Sequence, residues 1–162
     1  KSEEGESIMQ EIFSIEDVIN VMIELETCGN EHYLSLSKQT QSEELKNLFL
    51  NLANAEQKHK LRYENFKKEI LNFEHEDLSD DYEAYILSLL KQTIRFLNET
   101  RTQMNVDEGF RIAIQLEKDT ILFLMELKSM IGQQFNADME QIISEERGHL
   151  KLLYQYQNHL QV

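Results

Sequence analysis

Apolar residues recur every three or four positions over long stretches of the chain, and short polar stretches separate them. This recurrence predicts long α-helices at about 14–39, 42–71, 105–131 and 136–160, with a shorter helix at 82–100. Residues that favour helix ends lie at these boundaries: Ser14, followed by Asp17, as an N-cap, Asn105 with Glu108 as a capping box, Ser42 and Asn136 as N-caps, and Gly132 after the third long helix.

The links between the long helices predict how the helices pair. Only a few residues follow the first and the third long helix, so each forms an antiparallel hairpin with the next one. The join between the hairpins is long, about 72–105, and its acidic part at 72–81 has no helical pattern. We therefore expect an all-α fold of the ferritin-like kind, an antiparallel four-helix bundle of two hairpins joined by a long crossover that contains a short helix. We expect one domain over 14–162 and a frayed segment at 1–13.

Composition and charge exclude several classes of protein. The chain has 162 residues, no Pro and a single Cys, which leaves no disulfide framework and no cysteine-rich metal site. Its net charge of −14 would repel phosphate, so we expect neither nucleic acid nor an anionic membrane as a partner. With no apolar run near the ~20 residues that span a bilayer, we expect a cytoplasmic protein.

Each long helix carries a glutamate where its apolar stripe should continue. Ile19, Met22 and Ile23 precede Glu26 by seven, four and three residues, so all of them share its helix face. Glu56, Glu117 and Glu146 have apolar residues at the same three offsets. Four buried carboxylates would repel one another, and two divalent cations would balance their four negative charges.

Histidines suited to such a site follow two of the glutamates. Glu56 and His59 form one Glu-x-x-His motif, and Glu146 and His149 form another, each with both side chains on one helix face. Bundle di-iron sites combine two such motifs with one Glu from each of the other two helices. The segments 23–34 and 114–125 also align, which places Glu26 on Glu117.

The chain resembles the rubrerythrin family of non-haem di-iron proteins over about 14–160, most specifically in IELETCGNEHY (23–33), AEQKHK (55–60), RIAIQLEKDTILF (111–123) and ISEERGHLKLL (143–153). This resemblance implies a metal site formed by Glu26, Glu56, His59, Glu117, Glu146 and His149. It also implies Tyr33 as a catalytic side chain whose hydroxyl bonds a ligand carboxylate. We expect Glu56 and Glu146 to act mainly as bridges between the ions or as ligands beside their histidines, and Glu26 and Glu117 to act mainly as terminal ligands.

The chain departs from the rubrerythrin pattern at two points that affect the activity we expect of it. Cys28 is the sole cysteine, whereas a rubredoxin domain needs four, so we expect a separate electron-donor protein such as a rubredoxin. Thr120 occupies the position where rubrerythrins usually have a further Glu, one associated with peroxide chemistry. The resemblance also implies a homodimer.

These observations predict an oxidoreductase that reduces peroxide or dioxygen at two iron ions. Manganese or zinc could replace iron, because oxygen and imidazole ligands do not select iron alone. The alternatives are an iron-binding or storage protein without efficient turnover, and a metal-free helical interaction module.

Several neighbouring residues carry structural expectations. Gly29, three residues after Glu26, should leave room for an opposing imidazole, and Gly148 should mark a close helix approach. Cys28 should be a small buried or interface residue, and His32 should face solvent or a neighbouring subunit. Core packing and bonding to a ligand are equally compatible with Tyr63, which shares a face with Glu56.

Overall fold

A computed structural model describes residues 14–70, 80–100 and 105–160, and these residues form five α-helices and one short 3₁₀ turn. The elements are α1 (Ile15–Gln39), α2 (Glu43–Ile70), α3 (Asp80–Thr100), α4 (Val106–Met130), the 3₁₀ turn (Gln133–Phe135) and α5 (Asn136–Leu160). The predicted all-α fold is confirmed, and the crossover helix α3 begins two residues before its predicted start. The predicted frayed segment at 1–13 and most of the predicted acidic loop lie outside the described residues.

Side-chain caps fix the starts of α1 and α4. Ser14 accepts a hydrogen bond from the backbone N–H of Asp17, whose carboxylate in turn accepts one from the Ser14 backbone, so the predicted N-cap is confirmed and forms a complete capping box. Asn105 accepts a hydrogen bond from the backbone N–H of Glu108 at 2.9 Å. The Glu108 side chain does not complete the box in the described structure, so Asn105 acts as an N-cap alone.

The start of α5 differs from the prediction. Asn136 has helical dihedral angles, φ −59° and ψ −40°, and is therefore the first residue of the helix rather than its N-cap. The chain turns into α5 earlier, through the 3₁₀ turn that Gly132 precedes. This turn buries Phe135, whose ring lies 5.8 Å from that of Phe66, so core packing determines where the helix begins.

The helices pack as the two predicted hairpins. A short link joins α1 to α2, which pack along each other, and α4 packs on α5 after the 3₁₀ turn. Helix α1 also contacts α4 and α3, and α3 buries Ile86, Leu87, Leu90 and Ile94. In the described part of the chain, no helix has the length and apolar character that crossing a membrane would need.

Two apolar clusters form the core. One contains the first half of α1, the second half of α2, residues along most of α4, the start of α5 and the buried apolar residues of α3. The other contains the end of α1, the first half of α2, the start of α4 and Leu153 of α5. On each long helix the predicted ligands come between residues of these two clusters, so the bundle holds a polar layer between two apolar layers.

Candidate metal centre

The four glutamates that interrupt the apolar stripes all lie inside the bundle. Glu26, Glu56, Glu117 and Glu146 are each at most 4% exposed. They come from four different helices, α1, α2, α4 and α5. Their inward direction follows from the offsets in the sequence, because a residue three, four and seven positions after buried apolar residues shares their face.

The six predicted ligands form two overlapping groups. In the described chain, Glu26, Glu56, His59 and Glu146 offer ligand atoms that all lie within 4.8 Å of one another. Glu56, Glu117, Glu146 and His149 form the second group at the same limit. Glu56 and Glu146 belong to both groups, whereas Glu26 and Glu117 each belong to one.

The histidine of α5 lies at the centre of the second group. Its Nδ1 is 2.8 Å from Glu146 Oε2 and 3.7 Å from an oxygen of both Glu56 and Glu117. The rings of His149 and His59 stack with their centroids 5.6 Å apart. The two imidazoles therefore flank the shared carboxylates from neighbouring helices.

The histidine of α2 is held from both sides. His59 Nδ1 lies 2.8 Å from Glu146 Oε1, and its Nε2 lies 2.8 Å from Glu145 Oε2. Arg62 donates to both oxygens of Glu145 at 3.2 and 3.1 Å. When Nε2 carries the ring proton and donates it to Glu145, the Nδ1 lone pair is left for a cation. Glu145 was not among the residues predicted from the sequence, and the one signal for it is its position directly before a predicted ligand.

Two buried tyrosines lie beside the carboxylates. The Tyr33 hydroxyl donates a hydrogen bond to Glu117 Oε1, so it reaches a predicted ligand across the bundle, on α4. Tyr63 is fully buried and packs against Phe66 at 6.2 Å, and its hydroxyl has no hydrogen-bond partner in the described structure. Core packing of Tyr63 is therefore shown, and its phenol also lies beside the predicted ligand Glu26, since burial and then the charge of Glu26 raise the pKa of the phenol.

Unpartnered polar atoms are concentrated in this layer. In the described residues, six buried side-chain atoms make no hydrogen bond of good geometry: both carboxylate oxygens of Glu26, Oε1 of Glu56, the Tyr63 hydroxyl, and Oε1 of Glu146 with Nδ1 of His59, which face each other at 2.8 Å. Five of the six belong to predicted ligands. Buried polar atoms normally have partners, and a carboxylate left without one is costly. Oxygen and imidazole donors fit iron, manganese or zinc, so this donor set fits a pair of such ions.

Without cations, protons must neutralise part of the cluster. Burial, followed by the negative charge of Glu56, raises the pKa of Glu26 well above its usual range. Burial and the charge of Glu146 do the same to the pKa of Glu117. The pKa of Glu56 rises to about 7, again through burial and then through Glu146. Three of the four carboxyl groups therefore favour the protonated state.

The remaining carboxyl group forms an ion pair. Burial would raise the pKa of Glu146, but hydrogen bonds from His149 and His59 lower it to about 2. Burial would lower the pKa of His149, but Glu117 and Glu146 raise it to about 11. The metal-free site thus holds an anionic Glu146 beside a cationic His149, and bound cations would have to displace the protons.

The glycines near the site differ from expectation. A Cβ on Gly29 would lie 3.1 Å from Glu56 Oε2 and 3.3 Å from Leu116 Cδ2, so this glycine makes room for a carboxylate and not for an imidazole. A Cβ on Gly148 would meet nothing within 4 Å, so the predicted close helix approach is wrong.

His32 also differs from expectation, whereas Cys28 does not. His32 is 2% exposed, with Nε2 3.1 Å from the backbone oxygen of Gly109. Helix α1 is covered by α2, α3 and α4, so its buried face is wider than the stripe that contains Glu26. Cys28 is buried as expected.

Comparison with known proteins agrees with this geometry. A crystal structure of a protein from Thermotoga maritima, described as ferritin-like and diiron-carboxylate, has a TM-score of 0.65 and 25% sequence identity, covering 90% of this chain and 95% of that one. A search of curated proteins gave no significant match. The Rubrerythrin family model matches residues 17–156, most of the chain. The chain therefore belongs to the rubrerythrin family.

Proposed function

We propose that this protein is a non-haem di-iron oxidoreductase that reduces peroxide or dioxygen. The observation that carries the proposal is the pair of overlapping ligand groups that share Glu56 and Glu146. Family membership and the likeness to a protein described as diiron-carboxylate support iron as the metal. When bound, two iron ions would supply the electrons that cleave the O–O bond of the oxidant.

The chain's own residues hold and shield such a site. Glu26 and His59 would bind one ion, Glu117 and His149 would bind the other, and Glu56 and Glu146 would bind both. The hydroxyl of Tyr33 fixes the Glu117 carboxylate by a hydrogen bond. The apolar layers on either side exclude water, and this strengthens each charge interaction in the site.

We also propose two protein partners, an electron donor and a second copy of this chain. Reduction of an oxidant leaves the ions oxidised, so turnover needs an electron donor, and we expect a separate redox protein such as a rubredoxin. The homodimer that the resemblance implies also remains a prediction, and analytical ultracentrifugation would check it.

Rapid mixing would test the proposed activity directly. We expect iron(II) in the loaded protein to be oxidised by hydrogen peroxide or dioxygen much faster than the same concentration of free iron(II). The double variant His59→Ala, His149→Ala is the control, and it should lose the bound iron and the fast phase together. Oxidation of the loaded wild-type protein at the rate of free iron would contradict the proposal.

One observation favours iron binding without efficient turnover as a second candidate. Thr120 is 3% exposed and lies one helical turn after Glu117, where other rubrerythrins have a further carboxylate. A threonine hydroxyl cannot replace that carboxylate as an anionic ligand. If this second candidate is right, the wild-type protein will bind two iron ions per chain but show slow peroxide reduction, and Thr120→Glu will accelerate it.

A further inference from the structure

One predicted ligand is accessible from a cavity. The His149 side chain is 13% exposed, whereas the side chains of Glu56, His59, Glu117 and Glu146 are at most 5% exposed. His149 lies in the wall of a cavity of about 400 Å³ between α2 and α5, which we call the α2–α5 cavity. Its other lining residues are Glu44, Asn47, Leu48, Asn51, Leu52, Leu152 and Tyr156.

The α2–α5 cavity runs along the helices toward the candidate centre. Its lining residues on α2 are spaced as one helix face, from Glu44 in the first turn to Leu52, and Glu56 continues that face one turn further. On α5, Tyr156 and His149 are two turns apart on one face. The cavity thus extends for about 12 Å, at 1.5 Å per residue, from the helix end to a ligand of the centre.

The polar groups of this cavity suit a hydrated cation. Glu44 supplies a carboxylate, Asn47 and Asn51 supply amide oxygens, and none of the lining residues is a lysine or arginine. All three polar residues are exposed, so their oxygens can meet an ion that still keeps its water. A hydrogen bond to Glu44 raises the pKa of Tyr156, which places this phenol of α5 beside the carboxylate of α2.

A second cavity of similar size lacks these features. It measures about 390 Å³, lies between α3 and α4, and has a largely apolar wall that includes Phe96, Ile112 and Leu116. Its one carboxylate, Asp119, already accepts hydrogen bonds from Gln115 at 2.8 Å and Thr93 at 3.2 Å. No predicted metal ligand lines it. Two cavities of equal volume therefore provide a matched comparison.

We propose that the α2–α5 cavity is the route by which hydrated divalent cations reach and leave the candidate centre, with His149 as the first ligand that they meet. Glu44 attracts the ion at the outer end, and the amide oxygens of Asn47 and Asn51 replace part of its hydration as it moves inward. This inference rests on the proposed function, because it needs the buried site to bind cations.

Obstructing the route changes the rates of cation uptake and release, but it does not change the free energies of the metal-free and metal-bound protein. Filling the cavity should slow cation uptake and cation release by the same factor and leave the equilibrium affinity unchanged. A change in the site itself would alter the affinity. The two rates together therefore separate the cavity from the centre that it serves.

Stopped-flow uptake of Co²⁺ by the metal-free protein, read from the visible absorption of the bound ion, would test the proposal. Asn51→Trp places a large side chain in the cavity from an exposed position, and we expect both uptake and chelator-driven release to slow about tenfold or more. Gln92→Trp fills the α3–α4 cavity in the same way and should load at the wild-type rate.

A second variant avoids any change in packing. Glu44→Gln should slow uptake about two- to fivefold at low salt, and the difference should shrink as ionic strength rises. Glu43→Gln removes a neighbouring carboxylate that does not line the cavity and should have a smaller effect.

The outcomes distinguish the two proposals. Loading of Asn51→Trp and Glu44→Gln at the wild-type rate would overturn the route while leaving the metal site intact. Slower release of Asn51→Trp without slower uptake would also overturn it. If the wild-type protein binds no Co²⁺, the proposed function fails, and the route fails with it.

Discussion

At the scale of single residues, two glycines differ in what surrounds them, although both lie beside predicted ligands. Space around Gly148 is open, whereas a Cβ on Gly29 would come within 3.1 Å of a Glu56 oxygen. Glycine inside a helix costs about 1 kcal/mol relative to alanine. Replacement of Gly148 by alanine should therefore stabilise α5, whereas replacement of Gly29 by alanine should disturb the predicted ligand Glu56.

We expect Gly148→Ala to raise the free energy of unfolding by about 0.5–1 kcal/mol, because alanine favours the helix more than glycine does and its Cβ displaces no neighbouring atom. Gly29→Ala should lower divalent-cation affinity about 10- to 100-fold, because Glu56 must move and it serves both ligand groups. Denaturant unfolding and Co²⁺ titration of both variants would check this. Unchanged affinity in Gly29→Ala would show that the Glu56 carboxylate adapts without loss.

The sequence predicted the direction of each ligand but not its partners. Apolar residues at three, four and seven positions before Glu26 place it on a buried face, and all four glutamates are buried. That rule acts within one helix and says nothing of how far a neighbouring helix is shifted or rotated. This is why Tyr33 bonds Glu117, why Gly29 faces Glu56, and why His32 is covered although it points away from the ligand stripe.

At the scale of helices, the contact between α2 and α5 is fixed by a chain of polar groups. Arg62 donates to Glu145, and Glu145 holds the outer nitrogen of His59. The residue Gln141, one turn earlier on α5, also donates to Glu145 at 3.0 Å. Glu145 thus connects a predicted ligand of α2 to the helix that supplies Glu146.

Removal of the Glu145 carboxylate should weaken cation binding only through its effect on His59. We expect Glu145→Ala to lower cation affinity about 10- to 100-fold, because the imidazole loses its orientation and the acceptor that fixes its proton. Glu140→Ala on the same helix, which removes an ion pair with Lys128, is the control and should keep wild-type affinity. Isothermal titration with Mn²⁺ would measure both variants. Equal affinities would mean that packing alone orients His59.

The helix predictions succeeded where caps and periodicity agreed, as at Ser14 and Asn105. They failed at the start of α5, because Asn136 is a good capping residue but burial of Phe135 draws the preceding residues into a 3₁₀ turn. A local preference of about 1 kcal/mol is smaller than the gain from burying an aromatic ring. Tertiary packing of this kind cannot be read from the local pattern.

At the scale of the whole molecule, protons and cations compete for the same site. The raised pKa values of Glu26, Glu56 and Glu117 mean that the folded metal-free protein binds protons more tightly than the unfolded chain does. Their stabilising contribution is complete below the usual carboxyl pKa of 4.5 and is lost as pH rises, for Glu56 through about 7. The contribution of His149 is lost between its ordinary pKa of 6.5 and about 11.

We therefore expect the metal-free protein to become less stable between about pH 5 and pH 8, because the groups with raised pKa values lose their stabilising protons there. The lowered pKa of Glu146 does not oppose this loss, since it acts only at lower pH. Cation binding should release protons near neutral pH, from Glu26, Glu56, Glu117 and His149, and should stabilise more strongly as pH rises. Thermal unfolding with and without Mn²⁺, together with an indicator dye, would measure both effects. Binding without proton release would contradict this account.

The division of the ligands between the hairpins has a consequence during synthesis of the protein. Each ligand group draws on both hairpins, and both groups include Glu146 from α5, the helix that is translated after the other four. A nascent chain on the ribosome that ends before α5 therefore has neither group complete. A divalent cation would find no complete ligand group on an unfinished polypeptide, so the order of the helices along the chain makes assembly of the site a late event in synthesis.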